Sequence, residues 1–209
     1  MDNHNSGREW FAAQYDVSRE TLDRLEIYAE ELTKWNDKIN LVSRSTVQDV
    51  WQRHFADSAQ LSSIAAGHSG LWADFGSGAG FPGLVIAAMD PDRLVVLVES
   101  DQRKAAFLAS TAHKMGLRPR IESQRIESLD PLCAQVISAR ALAPLAKLLE
   151  FAAIHRADGS ICVFPKGAQV ESELTAARLN WHIEVEQVQS LTDPAATILK
   201  IREFSLVDA

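Results

Sequence analysis

The sequence predicts an α/β protein with a mostly parallel β-sheet, helices on both faces, an antiparallel hairpin at one edge and an N-terminal helical cap. Two observations predict this fold. After residue 70 the chain alternates between short apolar runs, typical of buried strands, and longer segments with helical spacing. A glycine-rich turn follows the first apolar run and leads into an apolar helix. Parallel sheets of this kind bind ligands at the carboxyl ends of their strands.

The segment before residue 66 is predicted to be mainly helical. The first ten residues are polar and are expected to lack regular structure. A helix is predicted over 18–35, where leucines and aromatic residues recur at helical spacing. Two asparagines then interrupt the pattern, and a further helix is expected over 46–58.

The remaining elements follow the glycine turn in alternation. The predicted strands cover residues 94–98, 118–122, 136–138, 160–164, 183–188 and 198–204, and the predicted helices cover 102–115, 142–151 and 170–178. The last two strands are separated by a short turn that contains Thr192, Asp193 and Pro194, with no helix between them. We therefore expect these two strands to pair antiparallel at one edge of the sheet.

Length and composition limit the class of protein. A chain of 209 residues with 46% hydrophobic residues can bury one core, and we expect a single domain with residues 1–65 as a helical extension and 66–209 as the α/β core. No apolar run reaches the length of a membrane span, and the first residues do not resemble a signal peptide, so we expect a cytoplasmic protein with no membrane partner.

Cys133 and Cys162 are expected to be buried thiols. The net charge of −7 means that any nucleic acid would have to bind a local basic face.

The glycine turn lies in the stretch LWADFGSGAGFPG and can be interpreted in two ways. Gly78, Gly80 and Gly83 fit the dinucleotide pattern G-x-G-x-x-G, which is weak evidence by itself. The frame D-x-G-x-G-x-G, which starts at Asp74, fits better because the strand already breaks at Gly76. A carboxylate there is unsuitable for a pyrophosphate and suits a cation such as S-adenosylmethionine, which has ammonium and sulfonium groups. The amides that begin the next helix are expected to face the ligand.

Polar residues follow several of the predicted strands. Glu99 ends the second strand, roughly 20 residues after the first glycine, where this fold presents an acid to a ribose diol; a helix cap or a solvated strand end is the alternative. Arg125 follows the third strand and Arg140 the fourth, so both are expected over one crevice, with a salt bridge as the alternative role. His54 and Asp57 could bind a metal or relay a proton, but no third ligand stands out, and we interpret them as a structural or RNA-facing pair.

Short motifs along nearly the whole chain carry a family resemblance. They are Trp35-Asn36, Asn40-Leu41, Arg53-His54, Asp57-Ser58, Gly80-Phe81-Pro82-Gly83, Glu99-Ser100, Lys104, Phe107-Leu108, Arg125-Ile126-Glu127, Ser138-Ala139-Arg140-Ala141, Pro144-Leu145 and Lys166-Gly167. With them the chain resembles the RsmG family, also called glucose-inhibited division protein B, the bacterial small-subunit rRNA guanine-N7 methyltransferases. The end of the glycine turn and the S-A-R-A segment are the most specific motifs.

The resemblance implies a class I, Rossmann-like methyltransferase fold, S-adenosylmethionine as methyl donor, and a specific guanine in the decoding region of 16S rRNA as acceptor. It implies cofactor contacts at Gly76, Phe81, Ile126, Glu127 and Arg140, to which the residue patterns add Asp74, Gly78 and Glu99. Arg125 and Arg140 are expected near the reacting base, as the catalytic pair. Ala139 stands where many relatives have serine, and Gln135 where aspartate is common, so acceptor binding is less firmly implied than the cofactor site.

The implied reaction does not require a catalytic base. Guanine N7 has a free lone pair, so its methylation needs orientation and no general base. Lys38, Arg44, Arg53, His54 and Lys166 are expected to contact RNA as a local basic face. We expect a monomer that binds no metal and acts on 16S rRNA, the small ribosomal subunit or an assembly intermediate.

Two alternatives belong to other classes. One is a non-catalytic RNA-binding or ribosome-assembly factor built on a methyltransferase scaffold. The other is an NAD-dependent oxidoreductase, for which the chain lacks the length of a second, catalytic domain.

Overall fold

A seven-stranded sheet forms the centre of the protein in the computed structural model, which describes residues 3–207. The strands are β1 (Trp72–Phe75), β2 (Val95–Val98), β3 (Arg120–Glu122), β4 (Ala134–Ala139), β5 (Arg156–Lys166), β6 (Trp181–Gln189) and β7 (Thr197–Leu206). Their order in the sheet is β3-β2-β1-β4-β5-β7-β6. β1 to β5 are parallel, and β7 pairs antiparallel with both β5 and β6. The predicted parallel sheet with an antiparallel hairpin at one edge is therefore confirmed.

Helices cover both faces of this sheet. They are α1 (Asn3–Tyr15), α2 (Arg19–Ile39), α3 (Arg44–Val47), α4 (Asp57–Ile64), α5 (Gly83–Met89), α6 (Gln102–Lys114), α7 (Leu145–His155) and α8 (Val170–Ala177), with a π-helical segment (Trp51–Ala56) before α4 and a 3₁₀ turn (Ile126–Ser128) after β3. The strands and helices predicted after the glycine turn are present, with ends shifted by a few residues. α7, for example, begins only after Pro144, which disfavours helical conformation in the residue before it.

The N-terminal segment differs from the prediction in three places. α1 occupies residues expected to lack regular structure, because Phe11 is fully buried and packs edge-on against Trp51, with ring centroids 5.6 Å apart. α2 continues past Trp35 to Ile39. Asn36 lies within the helix, and its side-chain oxygen accepts the amides of residues 41 and 42 in the following loop, at 2.8 and 2.9 Å. The single helix expected over 46–58 is divided among α3, the π-helical segment and α4.

Two apolar clusters fill the space between the sheet and the helices. One contains Leu25 of α2, Phe55 of the π-helical segment and Leu84 of α5, so the helices before residue 66 share a core with the α/β part. The other joins β1 and β4 to α7 and α8, with Phe75 and Leu148 among its members. Trp72 of β1 belongs to the first cluster, and Ala73 and Phe75 belong to the second, which fixes the register of the strand that leads into the glycine turn.

The two cysteines are in different environments. Cys162 in β5 is buried, as predicted, and burial raises its thiol pKa to about 12. The burial predicted for Cys133 is wrong: Cys133 is exposed, because it lies in the loop before β4 with a positive φ of 53°. Across the described part of the chain, every helix is too short or too polar to cross a lipid bilayer.

Candidate active site

Two cavities lie at the carboxyl ends of the parallel strands, on either side of the turn formed by Ala141 and Leu142. The small cavity has a volume of about 280 Å³ and is bounded by the glycine turn and the ends of β2 and β3. The large cavity, about 660 Å³, is bounded by the π-helical segment, the ends of β4 and β5 and the turn between β6 and β7. Both cavities lie where this fold class binds ligands.

The small cavity brings together most of the residues predicted to bind the cofactor. Gly76 and Gly78 come from the glycine turn, Glu99 from the end of β2, and the segment 125–127 from the chain after β3. Gly78 has a φ of +55°, and a Cβ placed there would meet only the carbonyl oxygen of Gly76, at 3.7 Å. The positive φ explains why glycine is needed, and the open space leaves the backbone accessible to a ligand.

Glu99 is held in the small cavity by two backbone amides. One carboxylate oxygen accepts the amide of Gly78 at 2.9 Å, and the other accepts the amide of Asp101 at 2.7 Å. The cap of α6 is Asp101, whose carboxylate accepts the amides of residues 103 and 104. The alternative role of Glu99 as a helix cap is therefore wrong, and its side chain connects the end of β2 to the glycine turn.

Asp74 has no exposed surface and lines neither cavity. Its carboxylate accepts the hydroxyl of Ser138 at 2.8 Å and the amide of Gly83 at 3.2 Å, and its burial raises the pKa to about 6. A Cβ at Gly83 would lie 2.7 Å from the Cβ of Asp74, so only glycine permits this approach. The geometry gives no support to the direct cofactor contact predicted for Asp74. Its position supports a role in holding the turn.

The amides that begin α5 do not face the small cavity. The Gly83 amide donates to Asp74, the Leu84 amide to the carbonyl of Gly80 at 2.8 Å, and the next two amides to the carbonyl of Pro82. The expectation that they would face the ligand is therefore wrong, because the turn itself accepts their hydrogen bonds.

Arg140 is fixed on the wall of the large cavity by three neighbours. Its Nη1 lies 3.2 Å from Asp57 Oδ2, and its Nη2 lies 3.2 Å from His54 Nδ1. Its guanidinium carbon also lies 4.8 Å from the centre of the Phe81 ring, within cation–π distance. Arg125 lines the small cavity, so the two arginines expected over one crevice line adjacent cavities.

His54 is buried, and its surroundings keep it neutral. Burial lowers its pKa to about 3, and the nearby positive charges of Arg140 and Arg53 add to this effect. A guanidinium only donates hydrogen bonds, so His54 Nδ1 must accept from Arg140 and Nε2 carries the proton. Nε2 then donates to the hydroxyl of Thr46 at 3.0 Å. Of the two interpretations of His54, the structural one fits this geometry.

Phe81 is stacked between two other rings. Its centroid lies 4.8 Å from that of His54 and 5.2 Å from that of Tyr28. Phe81 is 3% exposed and lines neither cavity. The cofactor contact implied for Phe81 is therefore not apparent in this geometry, and its position favours a role in supporting Arg140.

Asp57 connects the helical segment to the edge hairpin. Besides Arg140, its carboxylate accepts the hydroxyl of Thr192 at 2.9 Å and the side-chain amide of Gln60 at 3.0 Å. Thr192 lies in the turn between β6 and β7, and its contact with Asp57 was missed by the sequence analysis, because nothing in the local sequence signals a partner 135 residues away. In the described part of the chain, no three His, Cys, Asp or Glu side chains are grouped as a metal site would require.

The residues predicted to contact RNA fall into two groups. Lys38, Arg44 and Arg53 are exposed, and Arg53 also lines the large cavity. Lys166 is buried, and its Nζ donates to Glu173 at 2.7 Å and to the carbonyl of Ala143 at 3.0 Å. This geometry gives Lys166 internal partners and favours a structural role in the wall of the large cavity.

Comparison with known proteins identifies the family. Residues 21–200 match the GidB family, described as rRNA small subunit methyltransferase G. A ribosomal RNA small subunit methyltransferase G from Cereibacter sphaeroides is 50% identical over 204 residues, which are 96% of this chain and 99% of that protein. The chain belongs to the rRNA small subunit methyltransferase G family. Another member, from Rhodospirillum centenum, is 49% identical over 93% of this chain and 90% of its own length.

Solved structures of distant proteins share the fold. A SAM dependent methyltransferase from Aquifex aeolicus superimposes with a TM-score of 0.56 at 14% identity, over 83% of this chain and 97% of that one. The ribosomal protein L11 methylase from Lactobacillus delbrueckii gives a TM-score of 0.57 at 16% identity, over 78% and 80% of the two chains. The predicted class I methyltransferase fold and the resemblance to the family are thus confirmed. Membership of this family leaves the oxidoreductase alternative without support.

Proposed function

We propose that this member of the family transfers the methyl group of S-adenosylmethionine to N7 of a guanine in the decoding region of 16S rRNA. The observation that carries the proposal is the pair of cavities that share the Ala141–Leu142 turn at the carboxyl ends of the parallel strands. The small cavity has the glycine turn and an acid, as a cofactor site in this fold requires, and the large cavity has a fixed cation on its wall. The two ligands would therefore meet at the shared turn.

The donor groups of the small cavity fit S-adenosylmethionine. A carboxylate has about four acceptor positions, and the two amides bound to Glu99 leave acceptor capacity for the hydroxyls of a ribose. Gly76 and Gly78 supply open backbone beside it, and Ile126 and Glu127 line the side away from the glycine turn. We assign these five residues to cofactor binding. When bound, the cofactor supplies an electrophilic methyl group on a positively charged sulfur.

The protein contributes orientation and charge to the transfer. Guanine N7 has its own lone pair, so no side chain has to remove a proton before it reacts. Holding N7 in line with the methyl group at contact distance lowers the barrier by about 7 kcal/mol or more. Arg140, fixed by Asp57 and His54, can hold the base in the large cavity, and Arg125 lines the small cavity, where it can contact the cofactor.

The substrate must reach the large cavity as an accessible base. A guanine in folded RNA is reached only from a loop or after unstacking. Lys38, Arg44 and Arg53 are exposed, Arg53 on the wall of the large cavity, and they can attract the phosphate backbone despite the net charge of −7. We expect the protein to act as a monomer in the cytoplasm, on the small subunit or on an intermediate of its assembly.

The test is transfer of a labelled methyl group from S-adenosylmethionine to small subunits from an unmodified strain, followed by chain cleavage specific for N7-methylguanine. The proposal expects one cleavage site, in the decoding region. Deproteinised 16S rRNA and assembly intermediates serve as parallel substrates, which identifies the form that is methylated. Binding of both cofactor and subunits without any transfer would overturn the proposal in favour of a non-catalytic assembly factor.

A further inference from the structure

We propose that Asp57 and Arg140 together read the Watson–Crick edge of the acceptor guanine, with Asp57 accepting from N1–H and Arg140 donating to O6. This inference rests on the proposed function and adds a specificity-determining residue to it. Its basis is a fixed pair on the wall of the large cavity, in which Arg140 Nη1 lies 3.2 Å from Asp57 Oδ2. A donor and an acceptor are thereby presented side by side to any base that enters.

Asp57 retains capacity for one more hydrogen bond. A carboxylate offers about four acceptor positions. Within the described residues, Oδ1 accepts from Thr192 and Gln60, and Oδ2 accepts from Arg140 alone. The remaining position is therefore on Oδ2, the oxygen next to the guanidinium. Asp57 lines the large cavity and its side chain is 17% exposed, so the carboxylate can be reached from the cavity without being fully solvated.

Arg140 retains N–H donors that are free to bind a base beside the carboxylate of Asp57. A guanidinium has five N–H donors, and the contacts given for the described residues use one on Nη1 for Asp57 and one on Nη2 for His54. Its side chain is 22% exposed. The Phe81 ring and the neutral His54 hold the guanidinium plane in place. The wall thus offers N–H donors immediately adjacent to one carboxylate acceptor.

This pattern matches guanine and mismatches adenine. The Watson–Crick edge of guanine places the O6 acceptor next to the N1–H donor, whereas adenine places an amino donor next to the N1 acceptor. Neither Asp57 nor Arg140 can reverse its role, because a carboxylate cannot donate and a guanidinium cannot accept. With adenine, the donors of Arg140 would face the amino donor, and the carboxylate of Asp57 would face the N1 acceptor, so neither group could form its hydrogen bond. Recognition through this edge also leaves N7 free to face the cofactor.

The experiment pairs a protein change with a change in the base. Wild type and Asp57→Ala are assayed on small subunits reconstituted from 16S rRNA that carries either guanosine or 1-methylguanosine at the target position. For wild type, blocking N1 should lower kcat/KM about tenfold or more. For Asp57→Ala, guanosine should react at least about tenfold more slowly, and the penalty for 1-methylguanosine should fall below about twofold. Thr192→Val, which keeps the carboxylate, should retain the wild-type penalty.

A purely structural role for Asp57 gives a different result. If Asp57 only positions Arg140, Asp57→Ala will slow both substrates equally and keep the penalty, which would overturn the inference. Asp57→Leu keeps a side chain of similar volume without any acceptor oxygen, and it provides the same comparison if the alanine variant does not fold, as judged by cofactor binding and circular dichroism. Failure of wild type to methylate guanosine-containing subunits would reject the proposed function itself, so the two failures are distinguishable.

Discussion

The carboxylate of Glu99 accepts the backbone amide of Gly78 at 2.9 Å, which connects the end of β2 directly to the glycine turn. We expect Glu99→Ala to weaken S-adenosylmethionine binding about tenfold or more, because it removes both the expected ribose acceptors and the contact that shapes the turn. The free energy of unfolding should fall by about 1 kcal/mol, since two partly buried amides lose their acceptor. Calorimetric titration and urea denaturation measure the two effects. Glu122→Ala, at the end of β3, is the control and should bind the cofactor normally.

The buried carboxyl of Asp74 predicts a pH dependence of stability. Its pKa is raised from 3.8 to about 6, so the folded state favours the protonated form. The resulting stabilisation is fully present below pH 3.8 and is lost as the pH rises through about 6. The free energy of unfolding of wild type should therefore fall, relative to that of Asp74→Asn, by about 2 kcal/mol between pH 4 and pH 7. Denaturation curves for both proteins at each pH measure it, and a constant difference would contradict the prediction.

His54 is expected to affect the acceptor and spare the cofactor. His54→Phe retains a ring to stack on Phe81 but removes the acceptor for Arg140 and the donor to Thr46. We expect kcat/KM for the small subunit to fall about tenfold or more, because the guanidinium loses one of its fixed partners. The dissociation constant for S-adenosylmethionine should change less than about twofold. Equal losses for both ligands would indicate damage to the fold, and His54→Asn, which can still accept and donate, should recover part of the activity.

Lys166 and Glu173 should behave as one structural unit. Each is the partner of the other at 2.7 Å, and Glu173 also accepts the amide of Leu145 at the start of α7. Lys166→Met and Glu173→Gln should each lower the free energy of unfolding by about 1–3 kcal/mol, and the double variant should lose less than the sum of the two. Thermal or urea unfolding of the three variants tests this. If Lys166→Met weakens RNA binding while leaving stability unchanged, Lys166 contacts RNA after all.

Arg44 and Arg53 are expected to bind the phosphate backbone. Reversing both charges, Arg44→Glu with Arg53→Glu, should weaken binding to 16S rRNA and make it less dependent on salt, because fewer counterions are released. Cofactor affinity should remain at the wild-type value. Arg178→Glu, an exposed change next to α8, is the matched control and should leave RNA binding unchanged. Binding measured over a range of salt concentrations separates these outcomes, and an unchanged salt dependence would exclude these arginines from the interface.

Local patterns predicted the centre of the sheet because β1 and β2 are buried throughout and β4 is buried at all but one residue, so these strands are mostly apolar. The glycine turn and Glu99 were predicted for the same kind of reason, since a short sequence motif determines their geometry. α1 was missed because its stability depends on Phe11 packing against Trp51, a contact that polar composition does not reveal. Residue propensities near the N-terminus therefore gave the wrong expectation.

The wall of the large cavity was harder to predict than the small cavity. Asp57 and Thr192 meet only after the β6–β7 hairpin has folded against α4, so their relationship has no local signature. The role expected for Asp74 illustrates a second difficulty. A carboxylate before a glycine turn looks available to a cationic ligand, but Ser138 and the Gly83 amide bind it inside the core. Sequence patterns identify which residues are unusual and do not say which partner each one binds.

The turn at Ala141 and Leu142 has an energetic consequence, because it forms part of both cavities. A Cβ on Gly76 would lie 2.5 Å from a methyl carbon of Leu142, so the partition between the cavities is in close contact with the glycine turn. A ligand that moves Leu142 from within one cavity also changes the shape of the other cavity. Two ligands that bind one protein change each other's affinity by the same factor. If the methyl donor changes the affinity of the protein for RNA, RNA therefore changes its affinity for the methyl donor equally. Any coupling between the two sites would therefore pass through Ala141 and Leu142, the residues that line both cavities.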